Sequence, residues 1–360
     1  MCIRKLFFLR KKTKIIVASG EGSHFAAGVI FQILKNYFKV AKISKPPSFG
    51  EIKESEILIY EFLKRDRVKN INFWLKGSSL PILVVTNLGE IPPKDIVFAS
   101  ERSEEIEKLA KILPPYGYLI LNFDDETVRE IGDSLNVYVL KFGFDKGADL
   151  RASDWRFGKE GITFKLNFKG NILPIWLPNL FGKKNIYAAL AGLSIAQVFN
   201  LNLVEASQLL RDWSGIEGEG KIIKGIKKSL LLDDSKNASV FSMVEALRIL
   251  GEIGKEIEGR KIAVLGDILG IGKYTIEAHE AIGEEVVNNA DLLFTVGERA
   301  KFIAEGARIK GMFSSKIFEF EEISQVIPRL KEEIKEGDLI LIDGSKEMEM
   351  RKIVKEMEEK

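Results

Sequence analysis

The sequence predicts an α/β protein with mainly parallel sheets in two domains, on three observations. Short β-branched runs alternate with helical stretches along most of the chain. The 360 residues, 46% hydrophobic and 29% charged, have an ordinary globular composition and are enough for two or three domains. A glycine-rich stretch at 215–220 interrupts the alternation, and we place the domain boundary there.

The first half of the chain carries the pattern of a parallel sheet. Its predicted strands are 15–18, 57–60, 82–86, 119–122 and 137–140. Within 25–38, apolar residues recur at three- and four-residue spacing, which predicts a helix after the first strand. Alternation over 162–168 predicts an antiparallel extension of the sheet, and 185–199 a further helix.

The second half repeats this pattern as a Rossmann-like α/β unit. Its predicted strands are 230–232, 262–265, 292–296 and 339–342, and the end of the chain, 348–360, is predicted to be an amphipathic helix. We therefore divide the chain into a basic N-terminal segment (1–13), a central domain (14–214) and a C-terminal domain (215–360).

Composition excludes several functional classes. The net charge of +2 provides no overall field for nucleic acid, and we expect no nucleic-acid partner. The single cysteine, Cys2, excludes internal disulfides and predicts a reducing, cytoplasmic location. No apolar run is long enough for a signal-peptide core or a membrane span. We expect a frayed or strand-forming start, with a weak membrane-surface tether as the alternative.

A glycine-rich turn follows the first predicted strand. Gly20 and Gly22 would let backbone N–H groups approach a phosphate, in the turn that also contains Ser23 and His24 and leads into the predicted helix. A P-loop, however, requires Lys and Ser/Thr where these last two residues stand. On these residues alone we favour a structural turn over an anion cradle. Similarly, the polar segment 233–239 is interpreted equally well as a ligand crevice or as a capped loop.

Several segments resemble, in chain order, those of the Mur ligase family. Residues 233–243, D-D-S-K-N-A-S-V-F-S-M, resemble the family's D-D-S-Y-N-A-N-P-x-S-M. T-N-L-G-E at 86–90, N-F-D-D at 122–125 and G-K-K-N-I-Y-A-A-L-A at 182–191 resemble its T-N-I-G-E, N-A-D-D and G-x-H-N-x-x-N-A-L-A. Segments that contain Gly266, Gly297 and Gly344 continue the resemblance, which covers 14–355.

The resemblance implies a Mur-ligase-like central domain that binds ATP and magnesium and a C-terminal domain that closes over the nucleotide. The family joins a carboxylate to an amine through an acyl phosphate. Its phosphate loop would fall on residues 19–26, close to the start of this chain, so we expect the family's separate UDP-sugar domain to be absent.

The departures from the family fall where catalysis is expected. Ser23 stands at the phosphate-binding lysine and His24 at the magnesium-binding threonine. Pro92 stands at a metal-binding histidine and Ile106 near the carbamylated lysine, where Glu104, Glu105 and Glu107 offer carboxylates instead. Losing one charge-assisted phosphate contact costs roughly 1.5 to 3 kcal/mol.

Other positions keep the family's residue types. Asn185 matches the adenine-contacting asparagine and Asp234 the ribose-contacting aspartate. Lys236 resembles a lysine that faces phosphate in a sister ligase, and Glu61 matches the metal-linked glutamate. The candidate catalytic residues are Lys236, Glu61 and Asn87, and Glu61 is the candidate metal ligand. The candidate nucleotide-binding residues are Gly20, Gly22, Ser23, His24, Asn185, Lys221, Asp234, Lys236 and Asn237.

We therefore expect a degenerate ligase, related to peptidoglycan-precursor ligases, that acts by binding a nucleotide, a cell-wall precursor or a protein partner, with ATP and magnesium binding weak or lost. The alternative is an active ATP-dependent ligase whose phosphate site is rebuilt from Lys236, Lys221 and Glu61. A purely structural interaction module stays open. His24 is expected to cap its helix, and His279 to have a surface or interface role.

Overall fold

The structure is a computed structural model that describes residues 3–63, 66–88, 96–236 and 238–359, with the backbone alone for 96–103. Internal contacts divide the chain into two units. The first unit comprises Met1–Trp155, Phe164–Trp176 and Lys183–Trp213. The second comprises Ser214–Lys360 with two short segments, Arg156–Thr163 and Leu177–Gly182.

The first sheet has nine strands, and the first seven of them along the chain run parallel. The strands are β1 (Lys14–Ser19), β2 (Val40–Ile43), β3 (Ile57–Phe62), β4 (Pro81–Val85), β5 (Tyr118–Asn122), β6 (Tyr138–Gly143), β7 (Leu150–Gly158), β8 (Gly161–Phe168) and β9 (Asn171–Pro178). Their order is β2-β3-β1-β4-β5-β6-β7-β8-β9. Two-residue turns join the last three strands, and such short turns connect only antiparallel neighbours.

Eight helices accompany this sheet among the described residues. They are α1 (Ile3–Lys11), α2 (Ser23–Leu34), α3 (Phe49–Glu54), α4 (Val68–Lys76), α5 (Ile96–Lys111), α6 (Glu126–Asp133), α7 (Lys183–Val198) and α8 (Leu203–Leu209). Helix α2 packs closely on α7, where a Cβ at Gly192 would lie 2.6 Å from Val29. The buried residues of α7 run from Asn185 to Ala196, so both helices belong to the core.

The start of the chain is a helix, so the expectation of a frayed or strand-forming start was wrong. Phe8 is fully buried and meets the ring of Trp74 edge-on at 5.1 Å. The Lys11 ammonium lies within 2.5 to 2.8 Å of the carbonyl oxygens of Ile52, Lys53 and Ser55 at the end of α3. These contacts stabilise a helix of nine residues that would be marginal in isolation.

The second unit contains a six-stranded sheet. Its strands are β10 (Lys221–Lys224), β11 (Leu230–Asp234), β12 (Lys261–Gly266), β13 (Leu292–Val296), β14 (Ile317–Phe320) and β15 (Leu339–Asp343). Its helices are α9 (Val240–Ile253), α10 (Thr275–Asn289), α11 (Lys301–Ile309), α12 (Ile323–Glu333) and α13 (Arg351–Met357). The order is β10-β11-β15-β12-β13-β14, with β10 antiparallel and the others parallel.

The predicted α/β class with mainly parallel sheets is confirmed. The sequence analysis found the central strands of both sheets and missed the shorter strands nearer their edges, such as β2, β10 and β14, which have four residues each. No helix in the described part of the chain combines the length and the apolar character needed to cross a membrane.

The close contact of α2 with Trp213 generates a testable prediction. A Cβ at Gly28 would lie 2.3 Å from the Trp213 ring, so we expect Gly28→Ala to lower the free energy of unfolding by about 1 to 3 kcal/mol. Urea unfolding followed by tryptophan fluorescence measures this change. The matched control is Gly50→Ala in α3, where a Cβ meets nothing within 4 Å and the helix gains up to about 1 kcal/mol. Equal effects at the two glycines would contradict the prediction.

Candidate functional site

The turn between β1 and α2 is closed by the end of β4. The Thr86 hydroxyl lies 2.6 Å from the carbonyl oxygen of Glu21 and 3.1 Å from that of Ser19. The Glu21 N–H donates to the Asn87 carbonyl at 2.6 Å. Gly20 has a positive φ of 102°, and a Cβ there would lie 2.6 Å from the Asn87 carbonyl oxygen. Glycine is therefore required at residue 20 by conformation and by space.

The same turn uses much of its own hydrogen-bonding capacity. The Ser23 N–H donates to the Gly20 carbonyl, and the Phe25 N–H donates to that of Gly22. Together with the Glu21 N–H, three amides that could face an anion thus have acceptors within the protein. Ser23 is 4% exposed and Phe25 is 1% exposed, so the residues at the family's lysine and second threonine face inward.

We had expected His24 to cap its helix, and this was wrong. The N-cap residue of α2 is Gly22, in a left-handed conformation with φ of 74° and without a side-chain cap. The half-buried His24 ring lies 4.6 Å from that of Phe25. The predicted turn between β1 and α2 is therefore present, and its hydrogen bonds to Thr86 and Asn87 favour a structural role for it.

Asn87 belongs to a polar chain along the carboxyl edge of the first sheet. The Asn122 side-chain amide donates to the Asn87 side-chain oxygen, and the Asn122 oxygen accepts the Asp124 N–H. Asp125 accepts the N–H groups of Leu88 and Val128, so it caps α6 and fastens the end of β4 to it. The T-N and N-F-D-D segments thus hold loops together.

Asp124 connects this edge to the start of α7. Its carboxylate accepts the N–H groups of Phe144 and Asp145 at 2.7 and 2.8 Å and the Tyr187 hydroxyl at 2.9 Å. Asn185, the candidate adenine contact, lies one half-turn before Tyr187 and is fully buried. The structure thus places Asn185 in the packed start of α7.

Two of the expected magnesium positions, Ile106 and its acidic neighbours, lie on helix α5. Ile106 is 4% exposed and packs in the core cluster that contains Leu109, Ala110 and Leu113. Glu104 and Glu105 pair with Lys108 on the exposed face of α5, and Glu107 pairs with Lys111. These three Glu residues therefore form surface ion pairs on α5 rather than taking the place of the family's carbamylated lysine.

Glu61 is half-buried near the end of β3, in register with Ala18 of β1. Among the residues that the structure describes, no three His, Cys, Asp or Glu side chains are placed to hold a metal ion. Pro92 lies outside the described residues. Magnesium at phosphate sites is commonly held by one or two carboxylates together with substrate phosphates and waters, and Glu61 is the described carboxylate to consider; we derive no chemical step through the metal.

In the second unit, the candidate ribose contact lies at a buried strand end. Asp234 is 2% exposed and in register with Asp343 of β15, which is also buried. The neighbouring Asp233 is fully buried, accepts the Ser235 hydroxyl at 2.6 Å and pairs with Arg351 at 2.8 Å. Asn237 lies outside the described residues, and Lys221 is half-buried in β10, in register with Asp233.

Lys236 is bound into an ion-pair chain. Glu217 lies 3.6 Å from the Lys236 ammonium and 3.0 Å from the Arg351 guanidinium, which in turn pairs with Asp233. The hydrogen bond from Arg351 is the main cause that lowers the pKa of Glu217, and the charge of Lys236 adds to it. Sequence analysis missed Glu217 and Arg351, because 134 residues separate them.

The glycine-rich stretch is folded against the end of β11. The Gly220 N–H donates to the Asp233 carbonyl, and the Lys236 N–H donates to that of Gly218. A Cβ at Gly218 would lie 2.6 Å from the Lys236 side chain. Residues 218–220 are therefore held within the second unit by these contacts.

His279 holds the loop that follows β12. It is fully buried, which corrects the expected surface role, and its Nε2 accepts the Ile268 N–H at 3.1 Å. Nδ1 must then carry the proton that bonds the Thr275 carbonyl at 2.6 Å. Ser345 accepts the N–H of the next loop residue, Leu269. His279 needs to be neutral, because its Nε2 can accept the Ile268 N–H only when it carries no proton.

The chain was compared with known proteins. Residues 221–346 match the family described as "Mur ligase, glutamate ligase domain", and residues 103–196 match "Mur ligase middle domain". The chain belongs to the Mur ligase family. Of the segments that first suggested this family, those around Asn87, Asp124 and Asp234 lie at or just after the carboxyl ends of strands, and the one around Asn185 lies at the start of α7.

Named relatives cover part of this Mur ligase chain. A UDP-N-acetylmuramoyl-tripeptide--D-alanyl-D-alanine ligase of Bacillus subtilis is 28% identical over 278 residues, which are 76% of this chain and 58% of the relative. A ligase of the same name from Escherichia coli is 27% identical over 59% of this chain and 45% of its own length. The chain thus spans about half the length of these relatives.

Solved structures share the fold of this Mur ligase chain. A UDP-N-acetylmuramoylalanyl-D-glutamyl-2,6-diaminopimelate--D-alanyl-D-alanyl ligase from Acinetobacter baumannii has a TM-score of 0.79 at 19% identity, over 98% of this chain and 77% of that one. The MurF ligase from Thermotoga maritima, in complex with ADP, has a TM-score of 0.77 at 18% identity, over 98% and 82%. At this identity the likeness concerns the fold alone.

The ion-pair chain of Lys236, Glu217, Arg351 and Asp233 gives a prediction about stability. Arg351→Met would leave the fully buried Asp233 without its cation, so we expect the free energy of unfolding to fall by about 3 kcal/mol. Urea unfolding followed by circular dichroism measures the loss. The matched control is Arg248→Met, an arginine that is two-thirds exposed and pairs with the half-buried Glu285, with an expected effect below about 1 kcal/mol. A loss no larger than in the control would show that Asp233 tolerates isolation.

The buried His279 gives a prediction about pH. Desolvation by burial lowers the pKa of His279, and the charge of Arg299 lowers it further. The Thr275 carbonyl and the charge of Asp267 oppose this shift in part. The unfolded chain therefore binds this proton first as the pH falls. The stabilisation is complete above about pH 6.5 and is lost as the pH falls from there through the folded pKa.

The variant His279→Gln removes this titration. We expect the stability advantage of the unsubstituted chain over the variant to shrink by about 1 kcal/mol between about pH 7 and pH 5.5. Urea unfolding at both pH values measures the difference, and His24→Gln is the matched control. A constant difference across this range would contradict a neutral His279.

Proposed function

We propose that this chain is a Mur ligase-like protein, related to peptidoglycan-precursor ligases, that acts by binding rather than by ATP-dependent ligation. The observation that carries the proposal is the burial of Ile106, at the position near the family's metal-bridging lysine, in the hydrophobic core of the first unit. An apolar side chain packed among Leu109, Ala110 and Leu113 has no ligand atom to offer a cation.

The turn after β1 supports the same proposal. Phosphoryl transfer depends almost entirely on positioning and on charge stabilisation of the transferred group. Ser23 brings no charge to this turn, and the Glu21, Ser23 and Phe25 amides are bonded within the protein. The helix N-terminus alone contributes an attraction for anions of about 0.3 to 1 kcal/mol at exposed sites.

We propose nucleotides and cell-wall precursors as the ligands of this binding function. The relatives' names refer to UDP-N-acetylmuramoyl peptides, and one solved neighbour contains ADP. Asn185 and Asp234 are the residue types that the family uses toward adenine and ribose. Because Ser23 offers no charge to the phosphates, binding should depend little on them.

The alternative is a working ligase with a rebuilt phosphate site, for which Lys236 is the cation to consider. Its ammonium lies 3.6 Å from Glu217, and its side chain is one-third exposed. A phosphate would have to displace this carboxylate, whose pKa is lowered by Arg351 and which therefore stays charged near neutral pH. This competition makes the binding function the better-supported one.

Phosphate release in the presence of ATP and magnesium, measured with candidate amino-acid and peptide acceptors, tests the proposal. We expect turnover at least about a thousandfold below that of an intact family member, because several charged groups are missing together. Ser23→Lys should leave turnover undetectable, since Ile106 still offers no ligand. Magnesium-dependent release that Lys236→Met abolishes and the control Lys146→Met preserves would establish the working-ligase alternative.

Calorimetry with adenosine, ADP and ATP tests the binding function directly. We expect the three dissociation constants to agree within about tenfold, since no phosphate-binding cation is added along the series. Asp234→Asn should weaken all three, while Asp145→Asn, at an exposed aspartate, should leave them unchanged. ATP binding at least a hundredfold tighter than adenosine would contradict the loss of the phosphate site.

A further inference from the structure

The helices α1 and α4 pack together and carry positive charge only. Neither 3–12 nor 67–76 contains an acidic residue. Their basic residues are Arg4, Lys5, Arg10, Lys11, Lys12, Arg67, Lys69 and Lys76. Because the whole chain carries a net charge of only +2, these eight cations are a local excess. We call the exposed surface of 3–12 and 67–76 the basic face.

The basic face also exposes an apolar stripe. Ile3 is 78% exposed, Leu6 40% and Leu9 39%. Their spacing of three residues places them on one side of α1, with the exposed Arg10 beside them. The opposite side of the helix is occupied by the fully buried Phe8. Helix α1 is thus apolar on its packed side and again on its solvent side.

Contacts inside the first unit hold this stripe in place. Phe8 meets Trp74 edge-on, and the Lys5 ammonium lies 4.5 Å from the centre of the Phe73 ring. The Arg4 guanidinium lies 5.1 Å from the centre of the Trp74 ring, and Lys11 binds the end of α3. The helix is therefore already formed, so a partner need not pay the entropic cost of ordering it.

We propose that the basic face docks on an anionic phospholipid surface. A helix that combines exposed aliphatic side chains with flanking cations suits the membrane interface, where the apolar stripe enters the headgroup region and the cations meet lipid phosphates. Nucleic acid would use the cations but not the aliphatic stripe. A second copy of the chain would bring two basic faces together against charge repulsion.

The surroundings limit the strength of this docking. Helix α3 borders α1 on its Lys11 side and carries Glu51 and Glu54. The lipid contact is therefore assigned to the side formed by the Leu6 stripe, Arg10 and α4. With three aliphatic side chains and a few cations, the attachment should be reversible and weaken as salt screens the charges.

Vesicle flotation with the full chain tests the proposal without any nucleotide, so its outcome is independent of the proposed function. The probes are vesicles of phosphatidylcholine alone and of phosphatidylcholine mixed with phosphatidylglycerol. We expect binding to the anionic vesicles at low ionic strength, a marked fall above about 0.3 M salt, and little binding to the neutral vesicles.

Two pairs of substitutions separate the contributions of charge and apolar surface. Arg10→Gln with Lys12→Gln should lower the partition coefficient about 30-fold, whereas Lys146→Gln with Lys355→Gln, the same charge change elsewhere, should leave it nearly unchanged. Leu6→Ser with Leu9→Ser should lower it about tenfold. Its control is Ile172→Ser with Ile309→Ser, two exposed isoleucines on other elements.

Three results would overturn the proposal. Equal or undetectable binding to both vesicle types would remove the lipid surface as the partner. Anionic binding that survives both substitutions on α1 would assign it to another part of the chain. Binding of duplex DNA that matches vesicle binding and ignores Leu6→Ser with Leu9→Ser would assign the face to nucleic acid. Circular dichroism establishes that each variant retains its helical content.

Discussion

The closure of the β1–α2 turn by the end of β4 is the constraint on which the first unit's candidate site depends. The Thr86 hydroxyl and N–H and the Asn87 carbonyl fix Ser19 and Glu21 of the turn, and these bonds position the first turn of α2. The same edge then continues through Asn122 and Asp124 to Tyr187 on α7. A disturbance at Thr86 would reach both helices that flank the site.

This arrangement gives the segments that resemble the family a structural role in this chain. The segments that resemble the family serve here as braces between loops, and they satisfy polar groups at the carboxyl edge of a parallel sheet. In the second unit, His279, Ser345 and Asp267 brace the loop after β12 in the same way. Residue types with a structural role of this kind are needed for folding whether or not a reaction takes place.

The fold was more predictable than the site, for a physical reason. Buried strands such as β1 and β15 can be recognised in the sequence as apolar runs, because both of their faces are covered. The burial of Ile106 could have been predicted in the same way, from the helical spacing of Ile106, Leu109, Ala110 and Leu113. His279 likewise shares a helix face with Ile282, Gly283 and Val286, although the acidic neighbours Glu277 and Glu280 drew attention to the surface.

The remaining features could not be inferred from local patterns. The pairing of Arg351 with Glu217 and Asp233 joins residues more than a hundred positions apart, and no periodicity signals it. The helical start of the chain depends on Phe8 meeting Trp74, which is again a tertiary contact. A nine-residue segment between basic flanks is ambiguous until that contact is known.

Under the proposed function, placing the family's lysines in this chain would oppose the present packing. A lysine in place of Ile106 would bring an ammonium into a core of Leu109, Ala110 and Leu113, where burial disfavours the charged form. A lysine in place of Ser23 would have to leave a position that is 4% exposed before it could reach a phosphate. Each change alone would destabilise the fold and restore only part of a site whose groups act together in the transition state. The packing of these two residues therefore supports the proposed function, which depends on binding surfaces.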